Sequence, residues 1–118
     1  MLVKKFEDLD IWKLGREIVR DVYKDFCNCK DYEFRNQINK AAISIMNNIA
    51  EGYSRESKKE FHQFLNIAKS SCNEVKNMYY IAEDLNYLAT ELCNTRRTRC
   101  EHEKNAIAKL MKYLKSKT

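Results

Sequence analysis

The scarcity of helix-breaking residues constrains this chain more than any other feature. Its 118 residues include no proline and only two glycines, Gly15 and Gly52. Hairpins and multistranded sheets depend on glycine and proline at their turns, so the chain lacks what a sheet needs to reverse direction repeatedly. A chain of this length holds a single hydrophobic core. We therefore predict one all-α domain that spans residues 1–118.

Apolar residues recur at intervals of three and four along four segments, which is the spacing of one helix face. The predicted helices span about residues 8–27, 32–53, 57–86 and 90–115. Asp31 is placed to cap the second helix, and Ser57 with Glu60 reads as a capping box for the third. Gly52 is predicted to end the second helix in a left-handed conformation. Four such helices with short links predict an antiparallel up-down-up-down four-helix bundle.

The third helix carries more apolar surface than one small bundle covers. Beside its core stripe lies a second apolar set, made of Ile67, Met78, Ile81 and Leu85. Together the two sets exceed the arc that a surface helix buries, and contact with another subunit would account for the surplus. We therefore expect a homo-oligomer. The fourth helix is polar nearly all round between Cys93 and Ile107, so its first half is expected to pack loosely.

Positive charge is concentrated in the fourth helix. The net charge is +5, of which residues 94–118 contribute +6 and the rest −1. Lys and Arg neutralise phosphates and release counterions, which favours nucleic acid of any sequence. The candidate nucleic-acid contacts in this helix are Arg96, Arg97, Arg99, Lys109 and Lys112. Replacing its three arginines with Ala is expected to weaken RNA binding with little loss of stability. The alternative interpretation is a lysine-rich helix that is merely soluble.

A row of cations on the first helix provides further candidate contacts, namely Lys13, Arg16 and Arg20. The acids beside it are Glu17, Asp21 and Asp25. These acids can pair with the cations along the same helix, so a solvated face of mixed charge is the simpler interpretation. Tyr87 and Tyr113 are interpreted as core or interface residues rather than as platforms for stacked bases.

Short polar side chains follow one face of the second helix and the turn after it. Gln37, Ser44, Asn48, Glu51 and Arg55 recur at helical spacing. Hydroxyl and amide groups favour caps and turns over helix interiors, so a line of them indicates fixed hydrogen bonds. We interpret this polar stripe as a semi-buried network that fixes the second helix against the third or against another subunit. Direct RNA contact is the alternative, although Glu51 would repel phosphate.

Five cysteines at irregular spacing predict reduced thiols rather than a disulfide framework. Cys93, Cys100 and His102 could surround zinc, but no C-x-x-C pair accompanies them, and core packing is the simpler role. No apolar run approaches the roughly 20 residues that span a bilayer, and the start of the chain lacks an apolar signal region. We expect a soluble cytoplasmic protein with no metal and no cofactor.

The stretch YEFRNQINKAAISIMNNIAEGYSRESKKEFHQFLNIAKSSCNEV, which begins at Tyr32, resembles the four-helix-bundle proteins encoded in intervening sequences of bacterial 23S ribosomal RNA genes. FEDLDIW at residues 6–12 and YIAEDLNYL at residues 80–88 fit the same pattern. The matching positions are Gln37, Ser44, Asn48, Ile49, Ala50, Glu51, Gly52, Arg55, Phe61, Phe64, Leu65, Ala68, Ser71 and Glu74. Asn39 with Lys40 departs from a usual pair of arginines, and Ser70 departs from a usual glycine. The fourth helix carries little of the resemblance.

The resemblance implies a homo-oligomer, typically a pentameric ring, whose basic surface associates with ribosomal RNA. Gly52, Ser71 and Glu74 join the polar stripe as candidate structural or subunit-interface residues. Accessory proteins of diversity-generating retroelements look like the same fold, and there the ring engages a reverse transcriptase and its template RNA. That accessory role is the alternative function, and a scaffold that binds no nucleic acid is a third.

An enzymatic reading rests on Arg55 and His62, which are separated by six residues in RESKKEFH. This spacing resembles the arginine and histidine motif of helical HEPN ribonucleases. Arg55 falls in the turn before the third helix, however, and the rest of the chain matches a different pattern. The chain has no phosphate-cradling glycine loop, nucleophile elbow or zinc helix motif. We therefore predict that it is not an enzyme.

Overall fold

The computed structural model describes residues 4–117 as a four-helix bundle. A 3-10 turn, Phe6–Asp8, precedes α1 (Asp10–Asp25), α2 (Tyr32–Tyr53), α3 (Lys58–Asp84) and α4 (Thr90–Ser116). These residues contain no strand, so the predictions of an all-α fold and of four helices are confirmed. Each observed helix bound lies within two residues of the expected one. In the described part of the chain, no helix has an apolar stretch long enough to cross a membrane.

The bundle is 46 Å long and 20 Å across, with its apolar core along the axis. The third helix makes extensive contacts with α2 and α4, whereas α1 contacts α2 and α4 over a smaller surface. Fully buried residues from all four helices form the core, for example Ile18, Ile45, Leu65 and Ile107. The core therefore depends on the apolar stripes that the helical spacing predicts.

Side-chain caps fix where two of the helices begin. The backbone N–H of Phe34 donates to Asp31 Oδ1 at 3.2 Å, and the Tyr87 hydroxyl donates to Asp31 Oδ2 at 2.6 Å. These two bonds, chiefly the one from Tyr87, hold the pKa of Asp31 below its usual value. At the start of α3, the N–H of Glu60 donates to Ser57 Oγ at 3.1 Å. The caps predicted at Asp31 and Ser57 are therefore present.

Gly52 serves close packing instead of the predicted left-handed helix end. It lies inside α2, and neither glycine has a positive φ. A Cβ at Gly52 would lie 2.6 Å from Phe64 Cβ and 2.9 Å from Phe61 Cδ1. The missing side chain therefore lets the end of α2 approach the first turns of α3. The prediction of a left-handed Gly52 was wrong because a glycine near a helix end can serve either purpose.

The left-handed residue ends α3 instead. Asn86 has a φ of 59°, a conformation that Asn tolerates better than most residues. The N–H of Tyr87 donates to the carbonyl of Ala82 at 2.8 Å, and the N–H of Asn86 donates to that of Glu83 at 3.1 Å. These bonds form a Schellman motif, which satisfies carbonyl groups at the end of the helix.

The first half of α4 is well packed, so the expectation of loose packing was wrong. Cys93, Arg97, Cys100 and Glu103 are all buried. Two of these side chains are charged types, which a hydrophobic pattern counts as exposed. The helix is therefore held by ion pairs and by small thiol side chains rather than by a broad apolar stripe.

Glu103 is the most unusual residue of the core. It is fully buried, and neither carboxyl oxygen has a hydrogen-bond partner among residues 4–117. A Cβ at Gly15 would lie 3.2 Å from Glu103 Oε2, so the missing side chain of Gly15 leaves room for the carboxyl group. Burial raises the pKa of Glu103 to about 8. The carboxyl group is therefore mostly protonated at neutral pH, because an uncompensated charge in the core is unfavourable.

Candidate nucleic-acid interface

Arg96 of α4 is occupied by acids of α1. Its Nε donates to Asp25 Oδ2 at 2.7 Å, and its Nη2 donates to Asp25 Oδ1 at 3.0 Å. The Tyr79 hydroxyl donates to the same Oδ2 at 2.8 Å, and Arg96 Nη1 lies 3.3 Å from Asp21 Oδ2. Burial raises the pKa of Tyr79, with Asp25 adding to the effect. The guanidinium is thus part of a buried network that joins α1, α3 and α4.

Arg97 is buried between α3 and α4, with only 7% of its surface exposed. Its Nη1 donates to Glu83 Oε1 at 3.1 Å and to the Tyr79 carbonyl at 3.5 Å, and its Nη2 donates to Asn94 Oδ1. The guanidinium also lies 4.0 Å from the centroid of the Tyr80 ring. Arg97 therefore holds the two helices together and is not available to bind phosphate.

Arg99 completes a ladder of ion pairs with α1. Its Nη1 lies 3.2 Å from Asp21 Oδ2 and 3.7 Å from Glu17 Oε2. The acids of α1 therefore pair across the bundle instead of with the cations of their own helix. Replacing Arg96 and Arg97 would remove buried partners, so the expectation of little stability loss does not fit this geometry. Counting charges along the sequence missed the pairs of Arg96 and Arg99 because these residues are more than 70 positions from Asp25 and Asp21.

Lys13, Arg16 and Arg20 lie exposed on the outer side of α1. They line a broad groove of about 840 Å³ in which acidic residues alternate with them. Those acids include Glu7, Asp10 and Glu17. The Arg16 guanidinium lies 5.7 Å from the centroid of the Trp12 ring. This surface has mixed charge, which makes it a poor match for a polyanion.

A cleft with several basic lining residues, which we call the basic cleft, lies where the start of α3 meets the end of α4. It has a volume of about 300 Å³ and is lined by Lys58, Lys59, His62, Gln63, Leu114 and Lys115. Lys58 Nζ donates to the backbone carbonyl of Lys117 at 3.5 Å, which shows how near the two helix ends lie. None of the lining residues is acidic. The cleft therefore presents positive charge from two helices at one end of the bundle.

Further lysines of α4 extend this positive surface. We call the set formed by Lys58, Lys59, Lys109, Lys112, Lys115 and Lys117 the basic end, and all of its members are exposed. Within residues 4–117, Lys58, Lys59, Lys109 and Lys112 make no salt bridge. Of the residues predicted to bind nucleic acid in α4, Lys109 and Lys112 thus retain an available charge.

Arg55 and His62, the pair behind the ribonuclease reading, have different surroundings. Arg55 Nη2 donates to Glu51 Oε1 at 2.6 Å, and its guanidinium lies 4.8 Å from the Phe64 ring centroid. His62 lines the basic cleft beside Lys58. The arginine is thus paired with a carboxylate, while the histidine belongs to the basic cleft.

The polar stripe forms hydrogen bonds that join α2 to α3. Ser71 Oγ donates to Ser44 Oγ at 2.9 Å, and Asn48 Nδ2 donates to Ser44 Oγ at 2.9 Å. Nearer the other end of α2, Gln37 Nε2 donates to Glu74 Oε2 at 2.5 Å. With the Arg55–Glu51 pair, every polar residue of the predicted stripe has a partner, but the contacts form three separate groups, of which the Gln37–Glu74 and Arg55–Glu51 pairs are exposed. They support a structural role for the stripe because each donor already has a partner in the chain.

The second apolar set of α3 lies beside this network. Ile67, Ile81 and Leu85 are exposed, at 48%, 37% and 51% of their surface. Met78 belongs to the core instead, with 6% exposed. Ile81 and Leu85 lie close together at the end of α3, whereas Ile67 lies 14 residues before Ile81 on the same side, roughly 21 Å away at about 1.5 Å per residue. Exposed aliphatic side chains of this kind are often covered by another chain.

The cysteines are all free thiols. Burial, with a smaller contribution from Glu103, raises the pKa of Cys100 to about 12 and that of Cys72 still higher. Such thiols stay protonated and unreactive. In the part of the chain that the structure describes, no group of three or more His, Cys, Asp or Glu residues is arranged to hold a metal ion.

One family of known proteins matches this chain. The model of the family described as 23S rRNA-intervening sequence protein matches residues 7–109, which is most of the chain. The chain belongs to this family. No curated protein matches it significantly. The match includes most of α4, whereas the resemblance seen in the sequence ended near residue 88.

The 23S rRNA-intervening sequence protein match divides the basic end into two parts. Lys58, Lys59 and Lys109 lie within the matched residues 7–109, while Lys112 and the lysines after it lie beyond them. The polar stripe and the exposed side of α3 lie entirely within the match. The family region therefore includes the α2–α3 contact and one wall of the basic cleft.

Lys58, Lys59 and His62 were missed as nucleic-acid candidates. Glu56 and Glu60 offset the two lysines locally, so a count of charge along the chain shows no excess there. The predicted helix order could nevertheless have indicated this basic cleft. In the predicted antiparallel bundle, the start of the third helix lies beside the end of the fourth, and lysines occur in both segments.

Proposed function

We propose that this 23S rRNA-intervening sequence protein is a non-enzymatic RNA-binding protein that contacts RNA phosphates through its basic end. The observation that carries the proposal is the cleft in which Lys58, Lys59 and Lys115 converge with no acid among its lining residues. Lysine ammonium groups bind phosphates as point charges, and the release of counterions drives association. The exposed Lys109 and Lys112 extend this contact along α4.

The description of the family supports ribosomal RNA as the partner, because it names the 23S rRNA. The protein would meet this partner as a cytoplasmic, ribosome-associated protein. The bond between Lys58 Nζ and the Lys117 carbonyl supports an up-down-up-down order, since it joins the start of α3 to the end of α4. That order gathers the basic charge at one end of the bundle.

Self-association is the second part of the proposal. Ile67, Ile81 and Leu85 are exposed along one side of α3, beside the paired side chains of the polar stripe. A second copy of the chain would cover this apolar surface, and a closed ring of five copies would leave none of it open. Each added copy also multiplies the basic ends, so that weak single contacts become a strong collective one.

Removing charge from the basic end should weaken RNA binding. The basic-end variant replaces Lys58, Lys59, Lys112 and Lys115 with Gln. We expect its affinity for a structured fragment of 23S rRNA, measured by fluorescence anisotropy, to fall about tenfold or more, because each lost phosphate contact weakens binding to any RNA sequence.

A control variant matches this change in charge on the mixed surface of α1. It replaces Lys13, Arg16, Arg20 and Lys24 with Gln. All four side chains are exposed, so the variant should fold and bind RNA nearly as the parent does. Equal losses of affinity in the two variants would show that total charge matters and that the basic end is not the site.

Adding charge to the exposed side of α3 should separate the subunits. We expect the parent chain of 14.1 kDa to sediment as an oligomer at micromolar concentration, and the Ile67→Glu, Ile81→Glu variant to sediment as a folded monomer. Burying two carboxylates in the contact would be strongly unfavourable. The control is Tyr23→Glu, which alters an exposed aromatic residue of α1. A monomeric parent chain would refute the proposed contact.

A further inference from the structure

An exposed tyrosine lies in a groove between α3 and α4. Tyr80 has 49% of its surface exposed. The groove has a volume of about 530 Å³, and its other lining residues are Lys76, Asn94, Arg97, Thr98, Glu101 and His102. Core packing does not explain an aromatic ring that is half exposed and surrounded by polar and cationic side chains.

The Tyr80 ring is held in place from one side. The Arg97 guanidinium lies 4.0 Å from the ring centroid and is itself fixed by Glu83 and Asn94. A cation over the face of an aromatic ring is attracted by the negative charge of its π system. Arg97 therefore acts as a positioning residue: it contacts the ring from one side, while about half of the Tyr80 surface, 49%, stays exposed.

The groove provides the other groups that a nucleotide would use. Lys76 Nζ in the groove and Lys104 Nζ outside its lining both lie 2.8 Å from Glu101, so this carboxylate is shared and does not fully neutralise Lys76. Asn94 Oδ1 already accepts from Arg97, and the Thr98 hydroxyl donates to the Asn94 carbonyl at 3.0 Å. The Asn94 amide N–H groups can still donate to the edge of a base, and the Thr98 hydroxyl oxygen can still accept from it. A flat ring, an excess of positive charge and neutral hydrogen-bonding groups together match an unpaired nucleotide.

The same face of α3 leads from this groove to the basic end. Lys58, His62, Lys69, Lys76 and Tyr80 follow one another at intervals of four and seven residues, which places them along one side of the helix. The first two line the basic cleft, and the last two line the Tyr80 groove. The 18 residues from His62 to Tyr80 correspond to roughly 27 Å of helix, at about 1.5 Å per residue.

We propose that Tyr80 is a stacking platform for an unpaired base of RNA, and that a single-stranded segment follows the α3–α4 groove from there to the basic end. The proposal rests on the proposed function, because it assumes that RNA is the partner. It predicts a preference for single-stranded RNA over duplex RNA, which attraction between charges alone does not provide. Stacking needs a free base face, so Tyr80 should matter for single-stranded RNA and not for a duplex.

The test compares a single-stranded RNA of about 12 nucleotides with a duplex of the same length, a size within the range that single-strand-binding domains cover. We expect Tyr80→Ala to weaken binding of the single strand about tenfold and to leave duplex binding unchanged. Tyr80→Phe should bind both RNAs like the parent, since it keeps the ring. Tyr23→Ala, which removes another exposed tyrosine, should change neither affinity.

Three results would overturn the platform, and they differ from failure of the general RNA proposal. One is unchanged binding of the single strand by Tyr80→Ala while the parent binds RNA. Another is an equal loss for strand and duplex. The last is a lower sedimentation mass for Tyr80→Ala, which would assign the ring to a contact between copies of the chain. If the parent binds neither RNA, the proposed function fails and the platform fails with it.

Discussion

Asp25→Ala is expected to lower the free energy of unfolding by about 3–5 kcal/mol. The Asp25 side chain is only 3% exposed, and it accepts hydrogen bonds from the Arg96 guanidinium and the Tyr79 hydroxyl. Removing the carboxylate would leave the buried Tyr79 hydroxyl without its acceptor, and the mostly buried Arg96 would keep only its contact with Asp21 at 3.3 Å. Such orphaned groups carry their full desolvation penalty. Urea unfolding at neutral pH, followed by circular dichroism, measures the change.

Two companion variants make this prediction specific. Glu17→Ala removes an acid of the same ladder that is 56% exposed and lies 3.7 Å from Arg99, so it should cost no more than about 1 kcal/mol. Adding Arg96→Met to Asp25→Ala should recover part of the loss, because it removes a mostly buried cation that has lost its two hydrogen bonds to Asp25. A loss below about 1 kcal/mol for Asp25→Ala would show that the network contributes little.

Stability is expected to fall as the pH rises through the range in which buried Glu103 loses its proton. Burial raises the pKa of Glu103 from 4.5 to about 8. Between these values the folded chain binds more protons than the unfolded chain, so the free energy of unfolding decreases with increasing pH and levels off above about 8. The interval from 4.5 to about 8 covers about 3.5 pH units, and each pH unit is worth about 1.4 kcal/mol. The total decrease in the free energy of unfolding is therefore roughly 5 kcal/mol.

Glu103→Gln should remove this decrease. A Gln side chain at position 103 cannot ionise. We therefore expect the variant to be more stable than the parent at about pH 9, where Glu103 would be charged, and similar to it at about pH 5, where Glu103 is protonated. Urea unfolding across this range provides the comparison.

Glu101→Gln is the matched control for this pH dependence. Hydrogen bonds from Lys104 and Lys76 lower the pKa of Glu101, so its contribution is present above its ordinary pKa and is lost as the pH falls. A parent whose stability does not decrease between pH 5 and 9, taken as approximate limits, would show that Glu103 is not a buried neutral acid.

The helices could be predicted because their determinants are local. Spacing of apolar residues, the absence of proline and the caps at Asp31 and Ser57 each act within a few residues. Helix ends that depend on packing were less predictable. Gly52 and Asn86 both lie near a helix end, but only Asn86 adopts the left-handed conformation that ends a helix. Gly52 instead makes room for Phe64 of α3, a contact that the sequence of α2 alone does not reveal.

The candidate site was harder to predict because it depends on contacts between distant residues. The sequence suggests that Arg96 is a free surface cation, but it is partly buried and paired with Asp25 once α1 lies beside α4. The reverse holds for Lys58, whose charge is offset by acids along the chain and becomes part of a basic cleft in the fold. Both outcomes depend on which helices lie next to each other. The residue pattern of a single helix does not contain this information.

The salt dependence of RNA affinity tests the proposed function most directly. For phosphate contacts, the logarithm of the association constant falls linearly with the logarithm of salt concentration, by about 0.9 for each neutralised phosphate of a duplex. Between about 50 and 200 mM salt, we expect a steep slope for the parent and a slope smaller by about 3 to 4 for the basic-end variant, with little change for the α1 control. An affinity that does not vary with salt, or the same slope for the parent and the basic-end variant, would contradict RNA binding through the basic end.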